Sequence, residues 1–246
     1  MKIALVQMPS AKGEIKINSE RMSDYISFAA KAKADVAVFP EMSLTGYFTE
    51  NNYIDTCLEL ESKPVKKVVG ASKDIAILFG IGEKDNSGYH ITQIFAQNGK
   101  IVGVYRKHNV QSGEEKIFSS GVESPIFDLG GVRFGITICA DIDLPELYKE
   151  YATKGCKVVF ECASPDLYGD RENRNWEKGY LWWKNNCITK IGNYARENKI
   201  NIAVATQSGR NMDDDFPGGG YLFSTEGKII AETKDYQQEV LFCRLP

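Results

Sequence analysis

Three polar residues stand at the ends of apolar, strand-length runs, and their types suit acyl-transfer chemistry. Cys139 closes such a run inside "FGITICADIDLPE" (134–146), Glu41 closes "DVAVFPE" (35–41) and Lys107 closes "KIVGVYRK" (100–107). A cysteine can serve as nucleophile, a carboxylate as general base and an ammonium as a donor to an oxyanion. Each residue also has an ordinary reading. A core cysteine packs like a small hydrophobe, a strand-end glutamate bonds the following turn, and a strand-end lysine is solvated. Residue type alone leaves both readings open. Asp141 and Asp143 follow Cys139 within four residues. Adjacent negative charge disfavours a thiolate, so a productive Cys139 needs a cation from elsewhere in the chain.

The chain holds only two histidines, His90 and His108. A cysteine–histidine pair of the papain kind would require one of them, and neither sits in a motif with an orienting acid or amide. The six cysteines (57, 139, 156, 162, 187 and 243) form no CxxC pair. Neither a zinc site nor a disulfide framework is expected.

The elements that must position these residues show in the pattern. Strand-length apolar runs occupy 2–8, 35–41, 74–84, 90–97, 100–107, 133–141, 157–164, 201–207, 220–225, 228–233 and 240–245. Several are apolar throughout, as strands covered on both faces are. "QNGK" at 97–100 and "TEGK" at 225–228 are hairpin turns. Helical patterns fill 18–34, 64–72, 143–155 and 180–199. In the first, Asn18 or Ser19 is the expected cap, and Met22, Ile26, Ala29 and Ala30 share a face. In the third, Asp143 is the expected N-cap, Pro145 lies in the first turn, Glu146 completes a capping box, and Gly155 ends the helix. Strands alternating with helices, plus hairpins, indicate an α/β layered protein.

The chain of 246 residues is 43% hydrophobic and 26% charged, an ordinary globular balance. No linker, repeat or low-complexity tract divides it, so a single domain over 1–246 is expected. The formal net charge is −3 with both signs interspersed, and nothing marks a nucleic-acid-binding face. "MKIALVQMPS" is too short for a membrane span and lacks a signal-peptide cleavage pattern. It reads as the first strand of a cytoplasmic protein.

In order and spacing, "FPEMSLTGY", "YRKHNV" and "GITICADIDLPE" resemble the Glu, Lys and Cys signatures of the nitrilase superfamily of carbon–nitrogen hydrolases. The likeness extends to "KIALVQM" near the start, and to "ARENKINIAVATQSG" and "GGGYLFSTEGKIIAET" towards the end. It covers essentially the whole chain. The resemblance implies a four-layer αββα sandwich that brings Glu41, Lys107 and Cys139 into one pocket. It adds a second glutamate in "KHNVQSGEEKIFSSG", where Glu114 matches best and Glu115 is the near alternative.

What the resemblance implies chemically is an amidase acting on a small linear amide or N-carbamoyl compound. Cys139 would attack the carbonyl as Glu41 takes its proton. Lys107 would supply the missing positive charge and, with the Ala140 N–H, hold the oxyanion. Glu114 would steady Lys107 or the substrate. No metal or organic cofactor is implied, and the expected assembly is a homo-oligomer, taken as a homodimer. Asp141 fits the superfamily's Cys-x-Asp pattern and is read as bonding backbone in the turn. Ala140 stands where a bulky aromatic is common and leaves room beside the nucleophile. Tyr194, in "YAREN", stands where an arginine is common. Within 163–186, Asp166, Tyr168 and Arg171 are the candidates for reading a polar substrate. Trp176, Trp182 and Trp183 wall the pocket or, as large aromatics more often do, pack in a core or interface. A nitrilase with the same triad and a catalytically idle binding member are the competing readings.

Overall fold

The computed structural model describes residues 1–166, 175–212 and 214–246. Two six-stranded mixed sheets lie face to face. One runs in the order β14-β1-β2-β3-β4-β5, built from β1 (Lys2–Gln7), β2 (Val36–Val38), β3 (Ala76–Asp85), β4 (Gly88–Gln97), β5 (Lys100–Arg106) and β14 (Glu239–Arg244). The other runs β13-β12-β9-β8-β7-β6, from β6 (Phe127–Leu129), β7 (Val132–Ile138), β8 (Val158–Ala163), β9 (Asn201–Thr206), β12 (Tyr221–Phe223) and β13 (Ile229–Glu232). A separate hairpin pairs β10 (Ser208–Asn211) with β11 (Asp214–Pro217).

Three apolar clusters account for the layers. Ile3, Leu5, Leu78 and Phe95 from the first sheet meet Phe134, Ile136, Phe160 and Ala203 from the second. Alternate residues of the first sheet, such as Ala4, Val6, Ile77 and Phe79, pack on α1 (Ile15–Lys31) and α2 (Lys63–Gly70). Alternate residues of the second, such as Val159, Ile202 and Val204, pack on α3 (Pro145–Thr153), α4 (Trp176–Asn186) and α5 (Gly192–Asn198). Strands covered on both faces need apolar side chains at every position. That is why the runs in the sequence lack alternation, and the result is the αββα sandwich. Among the described residues, no helix is long and apolar enough to cross a membrane.

Several boundaries differ from the sequence reading. α1 starts at Ile15, ahead of Asn18 and Ser19, which are buried within it. Asn18 is not a cap; its side chain bridges the Ala11 backbone and the Leu44 carbonyl. Met22, Ile26 and Ala29 are buried on its inner face as expected. Asp143 is not the cap of α3 either. It ends a 3₁₀ turn, Cys139–Asp143, and its carboxylate pairs with Lys190. Pro145 disfavours helical backbone at the residue before it, so the capping position falls on Leu144 and no side-chain cap or capping box forms. Gly155 does end the helix, at φ +83°. The fourth helical pattern begins earlier, at Trp176, capped by the Asn175 side chain. A π-turn, Cys187–Ile191, splits it from α5. The short strands β6, β10 and β11 carry no run long enough to show in the sequence.

Strand direction positions the site. β1, β2 and β3 are mutually parallel, as are β7, β8 and β9. Two antiparallel pairings, β3 with β4 and β4 with β5, return β5 to the direction of β3. The chain therefore leaves β2, β5 and β7 at carboxyl ends, immediately before Glu41, Lys107 and Cys139.

Candidate active site

Cys139 opens the turn after β7 with φ +46°, and Met42, just after Glu41, has the same value. Left-handed backbone costs a non-glycine residue about 1–2 kcal/mol, so surrounding contacts must hold both turns. Gly80 on β3 is one such contact: a Cβ there would collide with the Met42 backbone nitrogen. Asp141 is another. Its Oδ1 accepts the N–H groups of His108 (3.1 Å) and Asn109 (2.7 Å). Its Oδ2 accepts the Ile138 N–H (2.9 Å) and the Tyr105 hydroxyl (2.7 Å). The aspartate bonds backbone as expected and also ties the cysteine's turn to the lysine's loop. Asn109 Nδ2 donates to the Ala140 carbonyl at 2.7 Å, a second tie between the same two segments.

The structure brings Glu41, Lys107, Glu114 and Cys139 together. Glu41 is fully buried; Oε1 accepts Lys107 Nζ at 2.8 Å and Oε2 accepts the Ser164 N–H at 3.0 Å. Lys107 Nζ donates also to Glu114 Oε1 at 2.6 Å. Glu114 is buried and takes the Tyr47 hydroxyl at 3.0 Å and the Gln111 N–H at 3.2 Å. Glu115 is exposed and bonds only the Gly113 N–H, so of the two acids Glu114 is the one at the cluster. Cys139 lies at the same cluster, near enough for Glu41 and Lys107 to act on its thiol.

Electrostatics within the cluster follow from one cation facing two acids. Burial pushes Glu41 up to about 7; Lys107 pulls it down and Glu114 pushes it up again. Burial alone would lower the Lys107 ammonium, but Glu41 and Glu114 outweigh it and hold it well above the usual range. Burial and then Glu41 push the Cys139 thiol well up, with Lys107 opposing. The sequence reading looked to Lys107 to offset the negative charge beside Cys139. The lysine instead serves two carboxylates, and the cysteine is held as a thiol.

A cavity of about 320 Å³ opens on this cluster. Lys107, Glu114, Cys139 and Tyr47 lie on its inner side, Ala140, Ile142 and Trp182 line it, and Asp166, Lys190 and Asp214 border it. Asp166 accepts the Asp215 N–H at 3.3 Å. Tyr168 and Arg171 lie outside the described residues. Trp183 is buried and donates to Thr206 at 2.9 Å, while Trp176 stacks on Tyr236. Neither histidine is paired with Cys139. The His90 ring bonds the Ser119 carbonyl and Ser87, and the His108 ring bonds the Glu123 carbonyl and stacks on Tyr105.

Tyr47, Ser164, Asn109 and Tyr105 are site contacts that the sequence reading did not single out. Ser164 carried a usable signal: it follows an apolar run, β8, at the carboxyl end of a parallel strand, as Glu41 and Cys139 do.

Comparison with known proteins bears on this geometry. The family described as Carbon-nitrogen hydrolase matches residues 2–246. The 2-oxoglutaramate amidase of Bacillus subtilis (strain 168) is 29% identical over 238 residues, covering 94% of this chain and 85% of the relative. A glutamine-dependent NAD(+) synthetase of Acinetobacter baylyi is 25% identical over 98% of this chain, which spans only 43% of that relative's length. Among solved structures, a variant amidase from Nesterenkonia sp. AN1, with acrylamide added to its active-site cysteine, superposes with a TM-score of 0.84 at 22% identity. The match covers 100% of this chain and 93% of that one, and it shows the fold.

Proposed function

The chain belongs to the carbon–nitrogen hydrolase family, and from that premise we propose that it hydrolyses a small linear amide or N-carbamoyl compound through a thioester on Cys139. The observation that carries this reading is the Lys107 ammonium held between Glu41 and Glu114, with Cys139 on the same cavity. The name of the amidase relative supports an amide substrate, and the acrylamide adduct in the Nesterenkonia amidase supports a nucleophilic cysteine.

The steps follow from the chemistry of the four side chains. As Sγ of Cys139 attacks the amide carbonyl, its proton passes to Glu41. The tetrahedral oxyanion is met by the Lys107 ammonium and the Ala140 N–H. Collapse breaks the C–N bond, and Glu41 returns the proton to the departing ammonia or amine. A water then gives a proton to Glu41 and attacks the thioester carbonyl, releasing the acid and restoring the thiol. Glu114 holds the ammonium in place through the cycle, and its own position rests on Tyr47 and Gln111. With one lysine already shared between two acids, the ammonium is oriented before substrate arrives, and little reorganisation is needed as charge develops.

An ammonia-release assay across amides, N-carbamoyl compounds and nitriles, with rapid-quench mass spectrometry of the Cys139 peptide, tests this. Amide or carbamoyl turnover with an acyl mass on Cys139 is expected. Nitrile turnover without amide turnover would make the protein a nitrilase. No turnover together with a Cys139 inert to iodoacetamide would leave a binding protein.

A further inference from the structure

β8 carries one charged residue, Glu161, in register with Thr137 of β7. Its neighbours at the same face, Val159 and Ala163, belong to the apolar cluster under α3, α4 and α5. Glu161 is fully buried there. Oε2 accepts the Thr137 hydroxyl at 2.5 Å and the Tyr148 hydroxyl at 2.9 Å, and among the described residues Oε1 has no partner. The titratable groups around it are Tyr148 of α3, Cys187 of the π-turn, Cys162 of its own strand, Tyr105 of β5, and Cys139 and Asp141 of the nucleophile's turn, with Glu41 beyond. Among the described residues no cation bonds Glu161; the Lys107 ammonium lies beyond, on Glu41. A neutral carboxylic acid lacking one hydrogen bond costs far less to bury than a carboxylate lacking a counter-charge.

The two donors bracket the nucleophile. Thr137 is two residues ahead of Cys139 on β7, and Tyr148 is on the helix that leaves its turn. Tyr194 of α5 reinforces the same bracket: its ring packs on Tyr148 with centroids 4.8 Å apart, and its hydroxyl donates to the Ile142 carbonyl at 3.1 Å. We propose that Glu161 is a positioning residue for Cys139: as the uncharged acid it ties both ends of the 137–148 segment, and on ionising it sets a negative charge behind the nucleophile and opposes attack. The inference rests on Cys139 being the nucleophile. Burial pushes the Glu161 carboxyl up to about 8, with the Thr137 and Tyr148 hydrogen bonds opposing and Asp141 and Glu41 adding to the rise. The change of state therefore falls just above neutrality.

The test compares wild type, Glu161→Gln, Glu161→Leu and Tyr148→Phe from about pH 6 to about pH 10, reading amide turnover and the rate of Cys139 alkylation by iodoacetamide. The alkylation arm needs no knowledge of the natural substrate. Glu161→Gln, which mimics the uncharged acid, is expected to lose the decline in turnover above about pH 8 and to alkylate several-fold faster than wild type there. Glu161→Leu, which orphans both hydroxyls, is expected to lose roughly tenfold or more of the neutral-pH turnover that the glutamine variant rescues. Tyr148→Phe removes a hydrogen bond that favours the carboxylate, so its alkaline limb moves to higher pH. An unchanged alkaline limb in both the glutamine and phenylalanine variants overturns the inference, even if their melting temperatures shift. Turnover surviving in Cys139→Ala would instead sink the thioester reading and leave Glu161 with no nucleophile to position.

Discussion

Glu41 and Glu161 are both fully buried, one beside each sheet, and burial raises both carboxyls, to about 7 and about 8. Their surroundings then part. Glu41 has an ammonium at 2.8 Å and a backbone N–H at 3.0 Å, and the ammonium opposes the rise that burial causes. Glu161 has two hydroxyls and, among the described residues, no partner for its other oxygen. Burial without a cation leaves Glu161 the higher of the two, and the ammonium beside Glu41 pulls it down. What separates the two carboxyls is therefore the placement of Lys107.

The comparison can be broken most severely by removing what Glu41 serves. Cys139→Ala is expected to abolish ammonia release, with a loss above ~10³-fold if an oxyanion donor alone is worth ~10²–10³. An unchanged circular dichroism spectrum would separate this from unfolding. Lys107→Met makes the surroundings of Glu41 resemble those of Glu161. Turnover is expected to fall by roughly 10²–10³-fold, and urea unfolding to show a loss of about 3–5 kcal/mol from two buried acids without their cation.

The third effect is on pH dependence. Glu41 must be ionised to act, so kcat/KM is expected to fall as pH drops below about 7. A profile flat down to about pH 5 would remove Glu41 from the role of base. Stability runs the other way. Both carboxyls sit above their usual value of 4.5 in the folded protein, so the stabilisation tied to their protonated forms is complete below about 4.5 and is lost as pH rises through about 7 and about 8. Thermal melts across that interval check the sign. Gly80→Ala comes next: the Cβ presses on the backbone beside Glu41, and about 1–3 kcal/mol of stability should go, with kcat reduced more than KM changes. Tyr47→Phe removes one hydroxyl from Glu114 and should cost only about 0.5–1.5 kcal/mol by urea titration, with a small drop in kcat.

Much of this arrangement was legible before any coordinates. Glu41, Lys107 and Cys139 each follow an apolar run, and a run covered on both faces must end at a loop, where polar groups collect. Glu114 was harder, because a two-glutamate loop gives no sign of which side chain turns inward; burial and the contacts to Lys107 and Tyr47 separate it from Glu115. Asp143 misled because an aspartate before Leu-Pro has the composition of a cap, while the proline's steric demand moves the helix start past it. Tyr47 and Asn109 were invisible for a different reason. Their roles depend on partners distant in the chain, and no local pattern encodes a contact made only after the sheets close. Glu161 was passed over inside "KVVFECAS", although a lone acid within a fully apolar strand is itself a signal that something must satisfy or neutralise it.

The first sheet ends in a pairing between its first strand and its last, β1 against β14, running from Lys2 with Arg244 to Gln7 with Glu239. During synthesis β1 is therefore made long before its antiparallel neighbour exists. Its backbone donors and acceptors on that side face water, and "KIALVQ" offers a hydrophobic edge to any passing strand. Until β14 is made the nascent chain carries an open template, and a truncation that removes β14 should leave a species that aggregates through β1 rather than one that merely lacks a strand.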